Sequence, residues 1–229
     1  MFKIAGNEKD GLMLLIDKPK NYSSARVVNI IKKKLKIKKA GHSGTLDPNA
    51  TGLMIVCTQK MTKKLNDLLC SEKEYEGTMR IGACTSSFDS ETAVKNECAI
   101  GHVTEDMIYE TACRFIGEIE QVPPMYSAIK YKGKPLYKYA LKNKEIERKS
   151  RKVFIKEFSI TDISLPELSF RTTCSKGTYV RSLVNDFGER LGTGAYLKEL
   201  RRLKIGHYEV KDSITLEEFL KLDNSILYN

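Results

Sequence analysis

A chain of 229 residues with 41% hydrophobic content is long enough to bury a sizeable core and suits one large domain better than two small ones. Its 39 Lys and Arg against 29 Asp and Glu give a formal charge of +10, which favours a polyanionic partner, nucleic acid foremost, because clustered cations release counterions from phosphates. No apolar run approaches the roughly twenty residues a bilayer span needs, and the six cysteines (57, 70, 84, 98, 113, 174) stand singly, without a CxxC pair or a nearby histidine, which argues against a metal site.

Residues 12–17 are a short apolar run stopped by Lys18-Pro19, which predicts a buried strand entering a turn. A helix follows, capped by Ser23 or Ser24, with Val27, Ile31 and Leu35 along one face and Val28 and Ile30 widening it. Lysines 32, 33, 34, 36, 38 and 39 form either a solvated face or a surface for a polyanion. They lead into residues 41–53, GHSGTLDPNATGL, a shaped loop that presents Asp47. Its glycines permit positive φ, and Pro48 fixes its own φ while pushing Asp47 toward an extended conformation. An aspartate placed there is either a turn residue capping its own backbone or a carboxylate stiff enough to serve as a nucleophile.

Residues 53–57 read as a buried strand, and Met61, Leu65, Leu68 and Leu69 as a short amphipathic helix. Residues 74–82 alternate as a half-buried strand with Tyr75, Gly77, Met79 and Ile81 on one face; Tyr75 is a core aromatic or faces a cleft, its hydroxyl needing a partner either way. Thr104 opens a helix with Ile108, Ala112, Phe115 and Ile116 inward. In residues 121–140, lysines 130, 132, 134 and 138 interleave with tyrosines 126, 131, 137 and 139 after Pro123-Pro124. That is a tyrosine-rich surface excursion or an RNA-contact surface, where bases stack on rings and lysines meet phosphates. The basic residues 148, 149, 151 and 152 run into strand-like residues 153–163, with an irregularity.

Residues 168–174 form a further strand that passes through Ser175-Lys176-Gly177 into a helix with Val180, Leu183, Val184, Phe187 and Leu191 at 3.6-residue spacing, ended by Gly192. Arg181 lies in its first turn, where the positive helix end disfavours a cation, so it is either exposed or answers to a nearby carboxylate. Residues 203–210 read as a strand, and Thr215-Leu216-Glu217-Glu218 as the capping box of a last helix. Without a secretory pattern the cysteines read as reduced, mostly buried thiols of a cytoplasmic protein.

Six ordered blocks closely resemble the TruB family, the bacterial tRNA pseudouridine-55 synthases. Residues 41–53 resemble the catalytic motif GHTGTLDPxATG with Ser43 for threonine. Leu15-Ile16-Asp17-Lys18-Pro19 resembles the N-terminal strand and turn, Glu74-Tyr75 the tyrosine motif, and residues 122–130 the PPxYSAxK segment ending at Lys130. Residues 175–181 match SKGTYIR, and Gly194-Ala195 through Leu200-Arg201-Arg202 match GAxxxxLRR. Asn21 stands where the family generally has glycine, Ser86 where an aspartate precedes the Asp89 position, Gln59 and Met61 where small residues are common, and Leu141 where an arginine is usual.

The resemblance implies an α+β fold: a mixed, largely antiparallel central sheet flanked by helices, here as a single catalytic domain over residues 1–229 with no PUA domain. It implies that Asp47 is the nucleophile, that Tyr75 stacks on the target base and assists proton removal, and that Arg181 pairs with Asp47. His42, Asp89, Tyr179, Leu200, Lys18 and Lys130 are the implied substrate-binding set. The implied partner is the T-arm stem-loop of tRNA, acted on by a monomer without cofactor, metal, membrane or protein partner. A non-catalytic tRNA-binding module and a guide-RNA-dependent synthase are the competing readings, the first disfavoured by the intact Asp47, Tyr75 and Arg181.

Overall fold

The computed structural model describes residues 4–7 and 9–223. In chain order it runs β1 (Ile4–Asn7), β2 (Gly11–Lys18), α1 (Ser24–Lys34), β3 (Ala40–His42), β4 (Thr51–Thr58), a 3-10 turn (Gln59–Lys64) and α2 (Leu65–Cys70). Then come β5 (Lys73–Ile81), β6 (Cys84–Thr85), β7 (Val94–Lys95), α3 (Glu105–Cys113), β8 (Gly117–Gln121), β9 (Lys130–Tyr131), β10 (Lys134–Pro135) and α4 (Tyr137–Ala140). The chain continues through β11 (Arg151–Ser164), β12 (Glu167–Cys174), α5 (Val180–Leu191), β13 (Ala195–Ile205), β14 (Tyr208–Glu209), β15 (Ile214–Thr215) and α6 (Leu216–Lys221). The fold is mixed α+β with a large, mostly antiparallel sheet, as the sequence predicts. Two compact units contain the described residues: Met1–Glu76 with Leu200–Asn229, and Gly77–Glu199.

In the first unit the strands lie in the order β1-β2-β4-β13. Strands β2 and β4 pair antiparallel from Met13–Cys57 to Lys18–Gly52 and read as unbroken apolar runs because both of their faces are covered. Leu12, Leu14, Ile16, Met54 and Val56 pack with Val27 and Ile31 of α1 and Phe219 of α6. Met13, Leu15, Leu53, Ile55 and Cys57 pack on the other side with Leu68 and Ile205. Ser23 caps α1, its Oγ accepting the Arg26 N–H at 3.2 Å, and lysines 32–34 complement the negative helix end. Thr215 and Glu218 form the predicted capping box.

The second unit orders its strands β5-β12-β11-β8. Strand β11 pairs antiparallel with β12 through two irregularities, between Ile155 and Glu157 and between Ile160 and Asp162, which matches the expected break in pattern. Phe158 meets the edges of Phe115, Phe170 and Phe187 at 6.1, 5.7 and 5.8 Å between ring centroids and so joins the turn after α3, helix α5 and the sheet in one aromatic core. Gly192 ends α5 at φ 81°.

Four sequence expectations are corrected. Ile116 is 51% exposed, because α3 stops at Cys113 and the amides of Phe115 and Ile116 bond three residues back, to Ala112 and Cys113; the helical period is lost there. Leu69 is exposed because residues 59–64 are wound as a 3-10 turn, which moves the following apolar face. The strand expected over 203–210 is the end of β13, which starts at Ala195 and is broken by Gly206-His207 before β14. Of the six cysteines only Cys57 and Cys174 are buried; Cys70, Cys98 and Cys113 are exposed.

Candidate functional site

In the first unit, Asp47 is half-buried on the segment between β3 and β4, and its neighbours are held by residues from outside the loop. Ser24 Oγ at the start of α1 donates to the Leu46 carbonyl and accepts the Leu46 N–H, both at 2.9 Å. The Asn21 N–H donates to the Pro48 carbonyl at 2.8 Å, and the Ala50 N–H to the Asp47 carbonyl at 3.1 Å. Asn21 does this from φ 67°, a left-handed conformation that asparagine tolerates better than most residues, and so fills the position where a glycine is usual. Gly52 has φ 100°, and a Cβ there would lie 2.3 Å from the Arg202 carbonyl oxygen, so no side chain fits where the loop rejoins the sheet.

Lys18 is fully buried. Its Nζ donates to the carbonyls of Pro19 at 2.9 Å, Tyr22 at 2.7 Å and Pro48 at 3.2 Å, which commits all three protons to backbone around the loop. Burial lowers its pKa from 10.5 to about 8, against the raising effect of the Asp47 charge. A native pKa below the unfolded one means that the unfolded chain holds the extra proton between about pH 8 and 10.5, so stability from this group rises across that window and is at its lowest below it. Relative to Lys18→Met, the wild type is therefore expected to gain up to about 1.4 kcal/mol per pH unit between pH 8 and 10. Urea unfolding of both proteins across that range measures this, and a pH-independent difference refutes it.

His42, half-buried at the end of β3, has its pKa lowered by burial and then by the charge of Arg202. Its Nδ1 accepts the Gly44 N–H at 3.3 Å, which leaves the proton of the neutral ring on Nε2. Tyr75 is 8% exposed on β5, and Leu200 is half-buried on β13.

The second unit carries Arg181, Asp89, Tyr179 and Lys130. Arg181 is 4% exposed; its Nη1 lies 3.3 Å from Asp89 Oδ2 and donates to the Ser87 carbonyl at 3.0 Å, while Nη2 donates to the Tyr126 carbonyl at 2.9 Å. Asp89 Oδ1 accepts the Ser87 hydroxyl at 2.5 Å and the Glu91 N–H at 3.0 Å. Arg181 is thus buried rather than exposed, and within its unit it meets the carboxylate of Asp89. Tyr179 precedes α5; Gln121, fully buried, accepts its N–H at 2.8 Å and donates to its carbonyl at 3.1 Å. The Arg151 guanidinium stacks 4.8 Å from the Tyr179 ring. Lys130 is exposed on the β9–β10 hairpin.

Within the first unit the structure therefore brings Lys18 to the Asp47 loop, with His42 on the stem that leads into it, and within the second it joins Arg181 to Asp89. Pattern reading missed Gln121, Ser24 and Arg202 as functional residues. Arg202 sits in a strand segment rich in charges, which reads as exposed, yet it is 1% exposed; Gln121 had only its place before Pro123-Pro124 to mark it. No helix among the described residues is long and apolar enough to cross a membrane.

Comparisons with known proteins converge. The family profile "TruB family pseudouridylate synthase (N terminal domain)" matches residues 32–180, and "tRNA pseudouridylate synthase B C-terminal domain" matches residues 181–227. The chain is 49% identical to the tRNA pseudouridine synthase B of Flavobacterium johnsoniae, over 92% of this chain and 95% of that protein. It is 46% identical to the protein of the same name from Chloroherpeton thalassium, over 93% and 90%. Among solved structures, a chain of a Cbf5-Nop10-Gar1 complex superposes with a TM-score of 0.71 at 32% identity, covering 92% of this chain and 54% of that one.

Proposed function

We propose, from the premise that this chain belongs to the TruB family of pseudouridylate synthases and isomerises uridine in tRNA, that its target is uridine 55 in the T-loop and its nucleophile is Asp47. The observation that carries this reading is the tethering of the Asp47 loop by Ser24, Asn21 and Lys18, more anchorage than a solvent turn requires. Isomerisation breaks the bond between uracil N1 and ribose C1′, turns the uracil, joins C5 to C1′, removes the C5 proton and protonates the freed N1, with no net change in atoms. A carboxylate fixed at the sugar–base junction supplies the electron pair such a route needs. Tyr75 stacks on the flipped base and assists loss of the C5 proton, and Arg181 completes the catalytic set. His42 and Leu200 of the first unit and Tyr179 and Lys130 of the second are the substrate-binding residues of this reading. Flipping the base costs a few kcal/mol, least in a loop, which favours the T-arm as substrate.

Mapping pseudouridine in an unmodified tRNA transcript incubated with the purified chain tests the reading: conversion of one T-loop uridine supports it. A protein that binds and refolds tRNA without converting any uridine is a binding module instead.

The lysines at 32, 33, 34, 36, 38 and 39, on and just after α1, make a basic surface leading to β3 and the Asp47 loop. RNA affinity is expected to fall steeply with added salt, and each lysine neutralised at a phosphate contact is expected to lower the slope of log affinity against log salt by about 1. Filter binding from 50 to 200 mM salt, over which the Debye length falls by about half, measures it; an affinity flat with salt shows the lysines to be merely solvated.

A further inference from the structure

We propose that Arg202 is a positioning residue for the reaction, tying together the two stems of the Asp47 loop and so fixing where its carboxylate sits. This rests on the reading of Asp47 as nucleophile. The Arg202 Nε donates to the Leu53 carbonyl at 2.7 Å and Nη2 donates to the Gly44 carbonyl at 3.1 Å. Those acceptors lie on opposite sides of Asp47, one on each stem. The backbone of Arg202 pairs in parallel with Gly52, so the same residue touches the returning stem through its main chain and both stems through its side chain.

An apolar side chain of similar volume would leave the Leu53 and Gly44 carbonyls without these donors, and a planar guanidinium supplies two divergent donors in a fixed fork that neither lysine nor an apolar residue reproduces. The tip of the loop is held by Ser24, Asn21 and Lys18; the base is held by Arg202, above the Ser43–Ile55 pair, where the Ser43 N–H donates to the Ile55 carbonyl at 3.0 Å and its Oγ accepts the Ile55 N–H at 3.3 Å. With tip and base both fixed, Asp47 has little freedom to drift. Arg202 also sends its charge toward His42 and Lys18, which places it electrostatically among the residues around the loop.

The test uses the full chain with Arg202→Ala and Arg202→Lys, assayed on a tRNA transcript for kcat, KM and RNA affinity. Misplacing a reacting group by about an ångström costs on the order of 100-fold, so Arg202→Ala is expected to lose about that much in kcat with KM and RNA affinity within about threefold. Arg202→Lys, which keeps the charge but not the fork, is expected to lose about tenfold. Millimolar methylguanidinium is expected to restore part of kcat to Arg202→Ala and none to Asp47→Asn. A folded Arg202→Ala with wild-type kcat, a loss confined to KM, or a failure of methylguanidinium to rescue overturns the proposal. If Arg202→Ala does not fold, a folded Arg202→Lys with wild-type kcat overturns it equally. Wild-type conversion that survives Asp47→Asn removes the premise instead, a result separable from any of these.

Discussion

Asp47→Asn is expected to abolish pseudouridine formation, with kcat lower by at least ~10⁴, while tRNA affinity stays within about twofold. The substitution is close to isosteric, and its neighbours in the loop have anchors of their own: Leu46 is held by Ser24, and Pro48 by Asn21 and Lys18. The loop is therefore expected to keep its place while the side chain loses the anionic oxygen proposed to attack. The expected result has two parts, measured by mapping pseudouridine in the product and by equilibrium binding of the same transcript. Conversion by Asp47→Asn at a rate near wild type sinks the nucleophile assignment; equal loss of binding and conversion shows a folding defect rather than a chemical one.

Arg181→Met is expected to lose both stability and activity, for separable reasons. Arg181 and Asp89 are both nearly fully buried and 3.3 Å apart, so removing the guanidinium strands a carboxylate inside the protein, a change that costs about 3–5 kcal/mol. The Ser87 and Tyr126 carbonyls lose their donors at the same time. Adding Asp89→Asn to Arg181→Met removes the buried charge, and most of the lost stability is expected to return in urea titrations. Conversion is expected to stay at least ~100-fold down in the double variant, because Arg181, a member of the proposed catalytic set, is still missing. Recovery of activity together with stability would show Arg181 to be structural only.

Much of the first unit was legible because burial on both faces leaves its mark in composition: the apolar runs of β2 and β4 could not be anything but covered strands. Helix α5 was equally plain, since its period, its glycine terminus and its aromatic all point one way. The failures share a cause. At Ile116 and Leu69 the backbone tightens to three residues per turn at a helix end or before a helix begins, and a pattern that assumes 3.6 residues assigns the wrong face. The start of β13 was hidden because Lys198, Glu199, Arg201 and Arg202 look solvent-exposed in sequence, although Arg202 is buried for its hydrogen bonds. Of the candidate site, the residues proposed to bear chemistry stood in recognisable blocks; the residues that hold their surroundings, Ser24, Gln121 and Arg202, act through backbone groups, and a backbone carbonyl leaves no trace in sequence.

The register of β13 carries one more consequence. Arg201 and Arg202 lie beside Thr51 and Gly52, and strand alternation sends the first to Asp17, at 2.6 Å, and the second to the carbonyl of a residue 149 positions earlier in the chain. A single inserted or deleted residue between Ala195 and Arg202 would exchange the two arginines and undo both attachments at once. In a lineage, length variation is therefore expected to gather at the Gly206-His207 turn and to spare the strand before it. The aspartate loop and this late strand must change together, and a recombination that exchanges one without the other is expected to yield a folded protein with a misaligned centre.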